Sequence, residues 1–311
     1  MDKYCFGVDV GGTTVKMGLF DESGTLHEKW EIPTRTEESG KHILSDVAAA
    51  IQNKMKEKNI QPEDVIGTGI GVPGAVDGEG VVRKAANLGW GLIAVEDELS
   101  TILDMPVKVG NDANVAALGE VWKGGAQGYK SIVMVTLGTG VGGGIIVNGK
   151  ILTGSTGAGG EIGHIHVQDN EPEICGCGNQ GCLEQYTSAT GIVRLANRRL
   201  NKDQKDSILR TQEVSAKSVF DAVKAGDELA IEVAEQFGKY LGDALAMIAG
   251  VCNPEAFVIG GGVSKAGPVL LEYIQKNYIK NVFHGSRGAD FTLAALGNDA
   301  GIYGSAKLVL A

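Results

Sequence analysis

The alternation of apolar and polar positions predicts a strand at Tyr4–Val10, a turn at Gly11-Gly12-Thr13-Thr14, and a second strand over 15–20. The polar run Asp21-Glu22-Ser23-Gly24 turns the chain into a third strand over 25–32. Ile43, Leu44, Val47, Ile51 and Met55 then recur at helical spacing, and 65–72 returns to a strand that ends in Pro73-Gly74. The opening pattern comes back later: 131–137 is apolar, 138–144 is a glycine turn, 145–147 is apolar, and Asn148-Gly149 turns again. Two copies of strand, glycine turn, strand and turn predict a duplicated domain rather than a solenoid.

The second half reads as mostly helical. Ile231, Val233, Ala234, Phe237, Leu241, Leu245 and Ile248 predict a long buried helix over 227–252. A buried strand over 256–259 leads into Gly260-Gly261-Gly262, followed by a helix over 268–278 and a strand over 291–296. A final helix, capped by Asn298 or Asp299, runs to the C-terminus. The layout predicts a small N-terminal α/β domain over 1–111, joined by the C-terminal helix 298–311, and a large α/β domain over 112–297.

Composition narrows the class. A length of 311 residues suits two domains, each with its own core. The net charge of -10 argues against a nucleic-acid partner and against an anionic membrane surface. Any anionic ligand must then be held locally, by backbone N–H groups, a few cations or a metal ion such as Mg²⁺. No apolar run has transmembrane length, and Asp2 and Asp9 interrupt any signal peptide, so a cytoplasmic protein is expected. The 47 glycines fall in short clusters at strand ends, where backbone turns sharply or approaches a ligand.

Three of those clusters are candidate nucleotide contacts. Gly11-Gly12-Thr13-Thr14 lies between strands, unlike a Walker A loop, which opens a helix. Its exposed N–H groups offer an anion-binding concavity, with Lys16 adding positive charge and Asp9 facing Mg²⁺ through water. Alone, it is equally a plain hairpin turn. A second turn at Gly138-Thr139-Gly140 changes the balance, because two equivalent turns can grip one polyphosphate from opposite domains. A dinucleotide fingerprint is excluded there, since 145–149 continues as strand and turn instead of helix. Gly260-Gly261-Gly262 suits either close approach of a base and ribose or a tight strand-to-helix connection.

Gly110-Asn111-Asp112-Ala113-Asn114 stands where a strand over 107–109 becomes a helix, at a carboxyl end where α/β folds place ligands. A helix cap explains Asn111 or Asp112, but not the whole polar group. A carboxylate at Asp112 suits phosphoryl transfer to a hydroxyl: the transition state is loose, so the base orients the hydroxyl and accepts its proton late. Asn111, the turn at Gly74, and Asn87 are candidate walls of an acceptor pocket. Further along, His164 with Cys175, Cys177 and Cys182 makes a tetrahedral zinc set. With every position filled by protein, that metal is structural. Three free thiols on a loop are the bland alternative. The second imidazole nitrogen of His164 is left to face a hydroxyl of the acceptor, with Glu161 and Glu184 beside it. Cys5 and Cys252 read as core residues.

Together, Asp9 to Lys16, Asn111-Asp112, Glu161-x-Gly-His164 and Cys175-x-Cys-Gly-x-x-Gly-Cys182-x-Glu184 resemble the ROK family (repressors, open reading frames and kinases) over essentially the whole chain. The resemblance implies an α/β, actin-like ATPase (ribonuclease H-like) fold with two domains around an interdomain cleft. It also implies ATP with Mg²⁺, structural Zn²⁺, and a homodimer or homotetramer. By matching positions, it makes Asp112 the catalytic base and puts Asn87, Asn111, Glu161, His164 and Glu184 on the sugar. The zinc ligands it implies are His164, Cys175, Cys177 and Cys182. Residues 71–77 with Asn87-Leu88-Gly89-Trp90 are most similar to the bacterial glucokinase branch, which implies glucose converted to glucose 6-phosphate. An N-acetylmannosamine kinase or a fructokinase would use the same machinery. A DNA-binding regulator of the family would need a helix-turn-helix ahead of Tyr4, and the acidic charge also disfavours it.

Overall fold

The computed structural model describes residues 3–310, so Met1 and Asp2 of the expected domain 1–111, and Ala311 of the expected helix 298–311, lie outside the described residues. Two compact units are present: Met1–Gly128 with Gly144–Gly160 and Leu296–Ala311, and Tyr129–Gly143 with Glu161–Ala295. The strands in chain order are β1 (Tyr4–Val10), β2 (Thr14–Asp21), β3 (Leu26–Pro33), β4 (Val65–Val72), β5 (Val81–Val82), β6 (Ile93–Ala94), β7 (Val107–Asn111), β8 (Ile132–Leu137), β9 (Val141–Val147), β10 (Lys150–Ile151), β11 (Ala256–Gly260) and β12 (Asp290–Leu293). The helices are α1 (Glu37–Gly40), α2 (Ile43–Lys58), α3 (Val95–Leu103), α4 (Asp112–Lys123), α5 (Glu184–Thr187), α6 (Ala189–Leu200), α7 (Ala216–Lys224), α8 (Glu228–Cys252), α9 (Pro268–Asn281) and α10 (Ala300–Val309).

The duplication read from the sequence appears as topology. One five-stranded sheet runs β3-β2-β1-β4-β7 and the other β10-β9-β8-β11-β12, so each places its strands third, second, first, fourth and fifth. In the first sheet β1 pairs antiparallel with β2 and parallel with β4, and in the second β11 pairs parallel with both β8 and β12. Parallel strands are covered on both faces, which is why they read as apolar runs. On β1 the period of two sends Phe6, Val8 and Val10 into a core with Val47 and Ile51 of α2 and Leu99 of α3. Cys5 faces the opposite way, onto Ile302 and Ala306 of α10.

Several boundaries differ from expectation, each for a physical reason. The glycine run expected to turn over 138–144 turns only to Gly140, and Val141 already begins β9. Gly144 is a strand position at which a Cβ would stand 2.6 Å from the Ala117 Cβ and 2.7 Å from the Ala113 carbonyl oxygen. Close packing, not a turn, accounts for it. The last strand stops at Leu293, short of 296, and the Leu296 N–H donates to Glu120 Oε1 at 2.9 Å. Asp299 occupies the N-cap position of α10 without a side-chain cap bond; its carboxylate takes Lys29 Nζ at 2.7 Å instead. Cys5 is fully buried, whereas Cys252 is only partly so.

The division between units falls after Gly128, not after Asn111, because α4 packs with α10 in the first unit. The two helices meet backbone to backbone. A Cβ on Gly304 would overlap the Val115 carbonyl, and on its other side α10 presses Ser305 onto β4 so closely that a Cβ on Gly69 would overlap the Ser305 carbonyl. Glu120, fully buried on α4, completes the arrangement: Oε2 accepts the Gly125 N–H at 2.7 Å while Oε1 holds Leu296. Gly304→Ala should therefore cost about 1–3 kcal/mol through overpacking, read as a lower urea midpoint at an unchanged m-value.

Candidate functional site

In the first unit, the ends of β1, β2 and β7 collect the charged groups. The antiparallel register sets Asp9 directly opposite Lys16, on one face of the sheet. Burial and the nearby Asp112 charge push the Asp9 carboxyl up to about 6, against the opposing pull of Lys16, which acts more strongly than Asp112. The carboxyl group packs on Gly301, where a Cβ would stand 2.5 Å from Asp9 Cγ in the first turn of α10. Two carboxylates whose charges interact, in a partly buried place, form a donor set that a divalent cation would satisfy.

The β1–β2 turn closes through the Gly11 N–H donating to the Thr14 carbonyl at 3.0 Å and the Thr34 hydroxyl donating to the Gly11 carbonyl at 2.7 Å. Gly12 and Thr13 remain exposed, and the Asn87 side chain comes within 3.9 Å of where a Cβ on Gly12 would sit. Asn111 is the N-cap of α4: its Oδ1 accepts from the Ala113 N–H at 3.0 Å and the Asn114 N–H at 3.1 Å. Its Nδ2 donates to the Gly74 carbonyl at 3.0 Å, so much of this amide serves the helix start and the adjoining turn. Asp112 follows as the first residue of α4, with Oδ1 2.8 Å from the Ala113 N–H, at the end of the helix dipole that favours negative charge.

The second unit holds the other turn. The Gly138 N–H donates to the Gly140 carbonyl at 3.0 Å, and Thr139 at its tip is exposed. Of the triple glycine, Gly260 ends β11, Gly261 has φ +82°, where a Cβ would stand 2.5 Å from the Leu137 carbonyl oxygen, and Gly262 lines a cavity of about 380 Å³. Ser215, Lys217, Phe220 and Asp221 of the α7 region, and Val263 and Lys265 beyond the glycines, are among its walls.

His164, Cys175, Cys177 and Cys182 converge so that one ligand atom from each lies within 4.8 Å of all the others. Cys177 Sγ is 3.6 Å from Cys182 Sγ, and Cys175 Sγ is 3.7 Å from His164 Nδ1. Zinc bonds of about 2.3 Å to sulfur and 2.0–2.1 Å to nitrogen set tetrahedral edges of about 3.5–3.8 Å. The donor set fits zinc. Nδ1 faces the cluster, which leaves Nε2 on the side of Glu161, 3.9 Å from its carboxylate. Glu184 stands against the same cluster, with Oε1 2.9 Å from Cys175 Sγ.

The family model for ROK matches residues 5–311. The chain belongs to the ROK family. This ROK chain is 43% identical to a glucokinase of Halalkalibacterium halodurans over 99% of its own length and 95% of the relative's. It is 35% identical to a glucokinase of Thermotoga maritima, over 97% of this chain and 96% of the other. Among solved structures, a ROK family glucokinase from Streptomyces griseus in complex with glucose and AMPPNP superposes with a TM-score of 0.76 at 34% identity, covering 98% of each chain. The fold is the two-domain, actin-like ATPase fold of ROK sugar kinases.

Two features of the candidate site escaped the sequence reading. The α7 wall of the cavity carries no catalytic motif; its signal was the Ser215–Ser218 capping box ahead of an amphipathic helix. The second is the support of the cysteine loop. Glu171 is buried and accepts from Arg198 Nη2 at 2.7 Å and Nη1 at 3.0 Å, and from the Tyr186 hydroxyl. The Glu171 carbonyl also receives the Gln180 amide at 2.9 Å, which ties this ion pair to the loop. The Arg198 guanidinium pulls the Glu171 carboxyl down to about 2. A depressed carboxyl stabilises the fold above its unfolded value of 4.5, and that contribution is lost as pH falls through about 2. Glu171→Gln should destabilise the protein by about 1–3 kcal/mol at pH 7 and flatten the loss of stability between pH 5 and 2, read from urea titrations at each pH.

Proposed function

We propose that this chain transfers the γ-phosphoryl group of ATP to glucose, giving glucose 6-phosphate, with Asp112 as the base that orients the acceptor hydroxyl and takes its proton. The observation that carries the assignment of the base is the carboxylate at the start of α4, next to the Asn111 cap and interacting with Asp9. The named activity of the glucokinase relatives supports the choice of sugar.

Mg²⁺ beside Asp9 would supply positive charge to the donor phosphates, and the loose transition state leaves this chain mainly positioning work. Gly11, Gly12, Thr13, Thr14 and Lys16 in one unit, and Gly138, Thr139 and Gly140 in the other, are assigned to the phosphates. The cavity at Gly262, with Phe220 and Lys265 in its walls, is assigned to adenine and ribose; Gly260 and Gly261 shape the backbone that reaches it. Gly74, Asn87, Asn111, Glu161, His164 and Glu184 are assigned to the sugar. Asp112 attracts the hydroxyl proton while the phosphoryl group is in transit, and the proton arrives late, when the new O–P bond has formed. Zinc held by His164, Cys175, Cys177 and Cys182 would fix the loop that presents His164 and Glu161. We further propose a cytoplasmic homodimer or homotetramer that acts on sugar and ATP and binds neither nucleic acid nor membrane. Among the described residues, no helix is long and apolar enough to cross a membrane.

Asp112→Asn should keep sugar and nucleotide binding while lowering kcat by about 10²–10⁴. Near-normal turnover would reject the base. In a coupled ADP-release assay, glucose should give the highest kcat/KM among glucose, mannose, fructose and the N-acetylated hexosamines. No turnover with any of them would overturn the kinase reading. The protein should carry one zinc per chain, and its removal by a chelator, or His164→Ala, should raise the KM for sugar.

A further inference from the structure

The turn at Gly138-Thr139-Gly140 is held from two sides. On one, the first turn of α6 clasps it: the Ala189 N–H donates to the Gly138 carbonyl at 2.8 Å, and the Thr190 hydroxyl donates to the Thr139 carbonyl at 2.9 Å. On the other stands Glu184. Its Oε2 accepts from the Val141 N–H at 3.3 Å, and a Cβ on Gly140 would stand 2.6 Å from that same oxygen. A side chain at this position would push the carboxylate away from the turn.

The other oxygen of the same group reaches the cluster. Oε1 lies 2.9 Å from Cys175 Sγ and 3.8 Å from His164 Nδ1. The main chain repeats the connection, because Glu184 follows Cys182 by two residues. The Gln185 N–H donates to the Cys182 carbonyl at 3.0 Å, and the Gln185 side chain accepts from the Cys182 N–H at 3.0 Å. One half-buried carboxylate therefore touches both the turn and two of the four ligand residues.

We propose that Glu184 is a positioning residue that couples the His/Cys centre to the phosphate turn, so that metal in the centre sets the affinity for the nucleotide and not only for the sugar. This rests on the kinase reading above. A contact to sugar alone would leave the Val141 N–H bond and the close approach of Gly140 without a role. Coupling through the carboxylate uses both: with zinc bound, the Cys175 thiol loses the proton it donates to Oε1, which leaves the carboxylate to the Val141 N–H. Stripping returns that proton, draws the carboxylate towards Cys175 and slackens its hold on the turn.

The experiment measures the Kd of Mg²⁺–AMPPNP by calorimetry with no sugar present, on zinc-loaded and chelator-stripped protein. Zinc content is assayed in parallel. Stripping the wild type should weaken nucleotide binding about tenfold, the scale of one lost hydrogen bond to a charged group. Zinc-loaded Glu184→Ala should show a similar loss, and stripping it further should add little. Glu184→Gln should recover part of the affinity, since its amide carbonyl can still accept from Val141. Thr190→Val, which removes the brace from α6, should weaken binding equally with and without zinc. A wild-type Kd unchanged by stripping, or effects of stripping and Glu184→Ala that simply multiply, would overturn the coupling. If circular dichroism shows that stripped protein has lost its fold, the loaded variants decide: an unchanged Kd in Glu184→Ala rejects the proposal. Absence of nucleotide binding in every form would instead reject the kinase reading beneath it.

Discussion

The close approach of α10 to its neighbours is the constraint on which the first unit depends. A helix can lie with its backbone against another helix and a sheet only where side chains are missing, and Gly304 and Gly69 provide those gaps. The result reaches the chemistry directly. α4, which starts with Asp112, rests on α10, and Asp9 packs against Gly301 in the first turn of the same helix. The placement of both carboxylates thus follows from a C-terminal segment that bears no catalytic group. It also explains a glycine content that would otherwise read only as loops.

The second unit solves a different problem. Its cysteine loop has little apolar content with which to hold itself, and it uses polar supports instead: the Glu171–Arg198 pair, the Gln180 and Gln185 amides, and the converging ligand atoms. Each support fixes backbone that hydrophobic burial would leave loose. Such a loop is ordered by specific bonds, so its stability depends on pH and metal more than that of the sheet beside it.

Much of this was legible in the sequence because the signals were local. The strand periodicity of β1 and β4 gave their bounds, and the cysteine spacing gave a cluster whose ligand atoms do come together. What stayed hidden was non-local. Nothing near Gly144 tells that it packs on Ala113 and Ala117, so its glycine was read as part of a turn. The role of α4 in the first unit depends on contacts with residues near the C-terminus, and the expected boundary at Asn111 missed it. For Asn111 the local part of the reading was legible: a strand-to-helix junction suggested a cap, and its amide oxygen caps α4. The wall at Phe220 lacked any chemistry to announce it.

Glu120 has a consequence for how such a chain can change over evolutionary time. Its two oxygens hold Gly125, shortly before the chain first leaves the first unit, and Leu296, where it returns for the last time. The first departure and the last return therefore share one anchor. An insertion or deletion beside either would disturb the carboxylate that secures the other, so a length change at one point carries a cost at both.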